Sequence, residues 1–211
     1  MKILLWLLVF VTNIFAKSPF VGNSFSIEVL TEKSSIKSSR SFDGEGETAQ
    51  KDAKTGISPK SFQFSLANRF ELSKYFMFMT ETFAKLNTLN SSETSGEVKT
   101  KFTKGPFGYG IGIGIGIFTA PFNLLSIGTF CENMTIKFED TSGDQNLDQD
   151  VKKSSTTKFL NGFKIENLTA FSKNKFMKIS LVKPFNDKIS ACNGDHSISG
   201  VTIGVGLSVK F

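Results

Sequence analysis

A run of alternating glycine and isoleucine, GYGIGIGIGIF at residues 108–118, is the feature that most limits what this chain can fold into. Successive side chains of a β-strand point to opposite faces, so a strand here has isoleucine on one face and bare backbone on the other. A helix is disfavoured because each interior glycine costs about 0.8–1 kcal/mol relative to alanine. A dinucleotide-binding loop needs a GxGxxG pattern that opens a helix, whereas these glycines occur at every second residue. The run therefore predicts a strand with one apolar face and one nearly empty face.

Seven other stretches alternate with the same period of two, which predicts eight strands in all. They cover residues 24–31, 61–72, 76–87, 124–138, 158–171, 176–185 and 200–211. One face of most of them is Phe, Ile, Leu, Val and Met. Within 124–138 the apolar residues change from odd to even positions, which predicts a β-bulge near Glu132.

The segments between these strands alternate regularly between long and short. Long polar segments lie at 32–60, 88–105, 139–157 and 186–199, and short connections lie at 73–75, 119–123 and 172–175. Outer-membrane barrels have an even number of antiparallel strands of about 10 residues, with short periplasmic turns and long outer loops. We therefore predict a closed, all-β, eight-stranded antiparallel up-and-down transmembrane barrel with both ends in the periplasm. The first long segment, 32–60, has mixed charges and is predicted to be mobile or disordered.

The faces opposite the apolar ones have glycine, serine, threonine and scattered charges. The interior of an eight-stranded barrel is barely wide enough for side chains, and glycine there leaves room for long charged side chains. On the outside of a soluble barrel, glycine would weaken the strand without a steric purpose. The predicted lumen charges are Arg69, Glu71, Glu81, Lys85, Lys164 and Glu166, with Glu28, Glu132, Lys178 and Lys210 on the same faces. Their mixed signs favour a lumen filled by salt bridges over an open pore.

Phenylalanines flank the short connections, where membrane barrels usually place aromatic girdles. These residues are Phe76, Phe122, Phe171 and Phe176. Tryptophan is absent after Trp6, and tyrosine occurs only at Tyr75 and Tyr109. We therefore predict a girdle made mainly of phenylalanine at this end.

The first residues have the pattern of an export signal. Lys2 precedes a mostly apolar run at 3–15, and Ala16 precedes polar residues. The run is shorter than the roughly 20 residues that a membrane-spanning helix needs. We predict a cleaved signal peptide at 1–16 and a single barrel domain at 17–211, with an uncleaved anchor as the alternative.

The chain ends in Phe211, with Val209, Leu207, Val205 and Ile203 at every second position before it. With the signal and the loop order, the chain resembles the small eight-stranded bacterial outer-membrane barrels, such as the OmpA transmembrane domain, the OmpX type and surface antigens of intracellular bacteria. The resemblance implies a place in the outer membrane of a Gram-negative bacterium. It also implies that Phe211, Val209 and Leu207 form the signal read by the barrel-assembly machinery. The implied partners are the outer-membrane bilayer, that machinery and a host or surface ligand bound through the loops.

Little in the sequence indicates catalysis or ligand chemistry. The net charge of +6 is spread without a basic cluster, so nucleic acid is not an expected partner. His196 is the single histidine, and Ile198 does not match a catalytic His-x-Ser pattern. The carboxylates at 140–150 could ligate calcium but lack the EF-hand spacing, so a solvated loop is expected. Cys131 and Cys192 form one disulfide or stay separate. We predict no catalytic residue, cofactor or metal site.

The sequence therefore predicts a surface-exposed structural or interaction protein, similar to an antigen or adhesin, that presents four outer loops and is not an enzyme. The first alternative is a small porin-like barrel that transports ionic or hydrophobic solutes. The second is an enzyme that modifies lipid A at the barrel rim. The third is a soluble secreted barrel of the lipocalin kind.

Overall fold

A computed structural model describes residues 18–40, 49–51, 60–87, 91–93, 100–140, 153–185, 187–191 and 194–211. The regular structure of these residues is β-strand, and none of them forms a helix long and apolar enough to cross a membrane. The predicted signal peptide at 1–16, Cys192 and most of the acidic segment at 140–150 lie outside the described residues.

The described residues form eleven strands in one antiparallel sheet. The strands are β1 Gly22–Arg40, β2 Ala49–Lys51, β3 Lys60–Glu71, β4 Phe76–Asn87, β5 Ser91–Glu93, β6 Thr100–Ala120, β7 Asn123–Asp140, β8 Lys153–Ser172, β9 Lys175–Pro184, β10 Asp187–Ala191 and β11 Gly194–Lys210. Eight of them build the barrel in chain order, and β11 pairs with β1 to close it. The short β2, β5 and β10 extend three hairpins at the long-loop end. The predicted closed eight-stranded antiparallel barrel is confirmed.

Several strands continue further toward the long-loop end than the sequence predicts. β1 pairs with β11 as far as Arg40 and Gly194, so the prediction of a mobile segment from residue 32 is wrong for 32–40. Similarly, β6 begins at Thr100 and β8 at Lys153. These extensions lack a clear apolar alternation. The pattern that predicts strands is therefore absent from them, although backbone pairing continues.

The register determines how the barrel closes. Starting at Glu28, the cross-strand partners can be followed from strand to strand around the barrel in either direction until they reach β8. One direction arrives at Lys158 and the other at Leu168, so the register is offset by ten residues on closure. With a rise of about 3.3 Å per residue and a strand spacing of about 4.8 Å, this offset gives a strand tilt of about 40° and a backbone radius of about 8 Å. The interior therefore has room for side chains and little else.

The predicted β-bulge near Glu132 is wrong. β7 pairs with β8 without interruption from Asn123 to Glu139, and the irregular pairing lies on the other side, in β6 between Lys104 and Gly108. Met134, Ile136 and Phe138 are buried on the same face as Glu132. The apolar residues change position along β7 because its own lumen face becomes apolar beyond Glu132.

An apolar band surrounds the outside of the barrel. Each barrel strand contributes exposed side chains, for example Ile27, Leu66, Leu86, Ile113, Ile127, Ile165, Ile179 and Val205. On β6 the exposed apolar residues run from Phe107 to Ile117, which is about 33 Å along the strand and, at a tilt of about 40°, about 25 Å along the barrel axis. That height matches the apolar band of transmembrane barrels. The glycines of the same strand face the lumen, as predicted.

Candidate functional site: the filled lumen

The glycine face of β6 leaves room for side chains of neighbouring strands. A Cβ placed on Gly110 would lie 2.5 Å from Cζ of Phe83, and one on Gly116 would lie 2.8 Å from Cδ1 of Leu124. A Cβ on Gly108 would lie 2.8 Å from Oε1 of Glu132. The space that side chains would occupy at these three positions is therefore taken by one aromatic, one aliphatic and one charged neighbour.

A cluster of ion pairs fills the lumen beside these glycines, with Lys178 at its centre. The Nζ atom of Lys178 lies 2.8 Å from Oε1 of Glu28, 2.6 Å from Oε1 of Glu81 and 3.0 Å from Oε2 of Glu166. These four side chains come from β1, β4, β8 and β9 and are almost completely buried. The amine therefore links four of the eight barrel strands.

Two more cations complete this cluster. Lys164 pairs with Glu81 and lies 3.1 Å from Oε2 of Glu166. Arg69 lies 3.3 Å from Oε1 of Glu166 and donates a hydrogen bond to the Ser24 hydroxyl. The cluster consists of Glu28, Arg69, Glu81, Lys164, Glu166 and Lys178, and we call it the central charge cluster. It has three cations and three carboxylates, so its formal charge is zero.

Neutral side chains complete the hydrogen bonding around Glu28. Gln63 donates to Oε1 of Glu28 at 3.2 Å, and the Ser180 hydroxyl donates to Oε2 at 2.6 Å. Removing one partner of a buried ion pair leaves an uncompensated charge at a cost of about 3–5 kcal/mol. The cluster is therefore sensitive to the loss of any single member.

Further ion pairs lie closer to the long-loop end. Lys85 lies 2.7 Å from Oε2 of Glu132, and Lys104 pairs with Glu32. The cavity between these pairs measures about 30 Å³, which leaves room for very few water molecules. This part of the lumen is filled as well.

An apolar plug lies at the opposite end, where the short turns are. Phe20 and Val21, each 2% exposed, pack against Met77, Leu124, Leu168 and Phe176. The Phe20 ring lies 5.3 Å from the Phe176 ring, measured between centroids. Gly22 has a φ of 110°, which glycine adopts without strain, and there the chain turns from the plug into β1. Lys210 donates to the carbonyl oxygen of Pro19 at 3.4 Å.

The structure places the predicted lumen charges in three positions. Arg69, Glu81, Lys164 and Glu166 belong to the central charge cluster, and Lys85 belongs to the pairs beyond it. Glu71 differs, because it lies on the same face of β3 as Arg69 but is exposed where the strand ends at the turn.

Sequence reasoning missed several lumen residues. Glu32 and Lys104 fall in stretches predicted as loops, and Phe20 and Val21 precede the first predicted strand. Phe176 was expected in the girdle and is instead buried in the plug, so that expectation is wrong. Phe176 lies at an even position, on the same face of β9 as Lys178 and Ser180, and this pattern indicates that it points into the lumen.

The remaining predicted residues lie on the outer surface or outside the described side chains. Val209, Leu207 and Phe211 are exposed on the outward face of the last strand, with Phe211 at 72%, and the Phe211 amide donates to the Asn23 carbonyl. Cys131 is a free thiol on the outward face of β7. His196 pairs with Ser38 in the register of β11 and β1. Within the described ranges, no group of three or more His, Cys, Asp or Glu is placed to hold a metal ion.

No protein-family model matches this sequence, and no curated protein matches it as a sequence relative. Solved structures are similar to it at low sequence identity. Neisserial surface protein A has 12% identity and a TM-score of 0.49, over 90% of this chain and 97% of that chain. Ail, the attachment invasion locus protein of Yersinia pestis, has 12% identity and a TM-score of 0.44, over 90% of this chain and 99% of that chain. The outer membrane protease OmpT of Escherichia coli has 9% identity and a TM-score of 0.47, over 90% and 97% of the two chains.

The class of this protein follows from its own geometry. A closed eight-stranded register, an outward apolar band and a charged interior define a small transmembrane β-barrel of the outer-membrane type.

Proposed function

We propose that this chain is an integral outer-membrane protein that anchors long loops at the cell surface and acts there as an antigen or adhesin-like interaction protein. The observation that carries the proposal is the filled lumen. The central charge cluster occupies its middle, and the apolar plug blocks the turn end. A barrel without a passage does not conduct solutes, so its long loops are the part left to carry a function. Loops are also where binding usually resides.

The same observation counts against the alternative of a porin-like or hydrophobic-solute transporter. A solute would have to displace Lys178 from three carboxylates and then remove Phe20 and Val21 from their apolar neighbours. Each step breaks buried contacts, and no other described group is placed to compensate for their loss. Transport is therefore the weaker proposal.

Export and assembly are part of the proposal. A cleaved signal at 1–16 would leave the chain to begin just before the plug, at the turn end of the barrel. The outward face of β11, which ends in Val209 and Phe211, is exposed at the same end. This position suits recognition by the barrel-assembly machinery, which we propose as a partner together with the outer-membrane bilayer.

The membrane location and the loop orientation are tested together. We expect the protein in the outer-membrane fraction, with a gel mobility that differs between boiled and unboiled detergent samples. Protease added to intact cells should cut within 41–59 or 141–152 and spare the turns at 72–75 and 121–122. Recovery as a detergent-free soluble monomer would contradict the membrane location. Cleavage at the turns on intact cells would contradict the orientation.

The filled lumen is tested separately from the location. Purified protein inserted into planar bilayers should give no stable conductance steps. Stable steps would contradict the filled lumen and favour the transport alternative.

A further inference from the structure

A lysine lies within the lipid-facing apolar surface of the barrel. Lys183 is exposed on the outward face of β9, near the long-loop end, and its cross-strand neighbour on β8 is Phe163. Leu181 and Phe185, two residues away on either side, are also exposed. The Phe163 and Phe185 rings form an edge-to-face pair with centroids 4.7 Å apart. Lys183 thus lies among lipid-facing groups and beside an aromatic pair.

A second exposed lysine lies two strands away in the same row. Lys33 of β1 pairs with Val201 of β11. The pairing of β11 with β9 ends at Thr202 and Val182. Continuing the same register by one residue places Val201 beside Lys183. Lys33 and Lys183 therefore flank Val201 on one outward face. Two strand spacings separate their backbones by about 10 Å, and their long flexible stems allow both ammonium groups to approach one anion.

The described side chains in this part of the barrel offer the two lysines no countercharge. Neither lysine forms an ion pair with any residue that the structure describes. Among the described side chains on the outward faces of β1, β9 and β11, none is acidic. A lysine on the lipid face is unfavourable unless its amine reaches the interface, where the anions are lipid phosphates.

We propose that Lys33 and Lys183 form a clamp for the phosphate group of a membrane lipid in the leaflet on the long-loop side. The acyl chains of that lipid would lie along Leu181 and Ile203, below the two lysines. The proposal rests on the membrane location proposed above and adds a specific lipid-binding site to it. The lipid class is one with an anionic phosphate headgroup.

The test uses a tryptophan reporter between the two lysines. Full-length protein with Val201→Trp is reconstituted in phosphatidylcholine vesicles that contain a minority of either brominated phosphatidic acid or brominated phosphatidylcholine. Quenching of the reporter is then compared for the two brominated lipids, with the parent protein as background. We expect the anionic lipid to be preferred, and each of Lys33→Gln and Lys183→Gln to reduce that preference about fivefold.

Lys137→Gln is the matched control. Lys137 is an exposed outward lysine at the same end, but its cross-strand neighbours are the polar Thr103 and Ser155. We expect this variant to keep the preference for the anionic lipid. Equal quenching by both lipids, or a preference that survives in the Lys33→Gln/Lys183→Gln double variant, would overturn the clamp.

Two further measurements separate the possible failures. Inorganic phosphate in the same vesicles should not reduce the quenching, and competition by it would show a site for free phosphate and overturn the assignment to a lipid. The boiled and unboiled gel mobilities of each variant report insertion independently. A protein that inserts without lipid preference contradicts the clamp alone, whereas one that never inserts contradicts the proposed membrane location.

Discussion

Lys178 is buried in the middle of the barrel and contacts three carboxylates. Its buried charge is tolerated because Glu28, Glu81 and Glu166 surround it. A buried ion pair is weak evidence for stability, since an apolar replacement of the whole group is often neutral. The loss of one member is different, because the remaining charges are then out of balance.

We predict that Lys178→Met lowers the free energy of unfolding by about 3–5 kcal/mol, because it leaves one buried carboxylate in excess. Urea titration of the protein in lipid vesicles measures this value. Lys175→Met, on the exposed side of the same strand near the turn, is the control and should change it by about 0.5 kcal/mol or less. Adding Glu28→Gln to Lys178→Met should recover part of the loss, and no recovery would contradict the charge-balance explanation.

The two faces of β6 predict opposite outcomes for neighbouring residues. A Cβ on Gly112 would lie 3.9 Å from Oε2 of Glu81, so the side chain of Gly112→Phe would enter the central charge cluster. We expect a loss of about 3 kcal/mol or more from overpacking and from disrupted ion pairs. Ile113→Leu on the lipid face should cost less than about 1 kcal/mol. The same urea titration compares them, and equal effects would mean that the faces are assigned wrongly.

At the scale of the element, the strands that alternate clearly were predictable and their extensions were not. β4 spans Phe76–Asn87, as the sequence predicts. β1 continues nine residues beyond Thr31, where the sequence no longer alternates and the pairing with β11 depends on backbone hydrogen bonds. The partners of each lumen charge depend on the register between strands, which the sequence pattern does not give. The ion pair between Lys104 and Glu32 could therefore not be predicted.

The N-terminal plug is the element that the sequence concealed most. Its apolar residues, Phe20 and Val21, are too few to show any periodicity. We predict that Phe20→Ala lowers the free energy of unfolding by about 3–5 kcal/mol, because the ring is as buried as in a protein core. Phe122→Ala is the control, since Phe122 is 67% exposed at a turn of the same end. A similar loss in both variants, measured by urea titration, would contradict the plug.

At the scale of the whole molecule, one closed sheet has an apolar outside and a balanced, filled inside. The outward apolar faces and the lumen charges were both visible in the sequence as alternate positions. Closure followed from the requirement that strands in lipid leave no edge unpaired. The apolar lumen face of β7 beyond Glu132 was not visible, because apolar residues at lumen positions look like a break in the strand pattern.

Assembly of the molecule is predicted to depend on its last residue. We expect deletion of Phe211 to lower the amount of folded barrel in the outer membrane several-fold, because the outward face of the final strand then lacks its terminal aromatic residue. Quantitative immunoblots of unboiled membrane samples measure this amount. Phe171→Ala removes another exposed phenylalanine near a short turn and should leave it unchanged. If the deletion variant and the parent protein reach the same level of folded barrel, the role proposed for the C-terminus is contradicted.

The central charge cluster has a consequence for the accuracy of folding. A strand that slips by two residues keeps its apolar side chains toward lipid and its polar ones inside, so the hydrophobic pattern does not reject the error. The same slip moves a charge about 7 Å along the strand, which is far enough to separate the ion pairs it makes. Because the six charges come from five different strands, the cluster penalises such an error in any of them. The cluster thus selects the correct alignment among arrangements that lipid alone cannot distinguish.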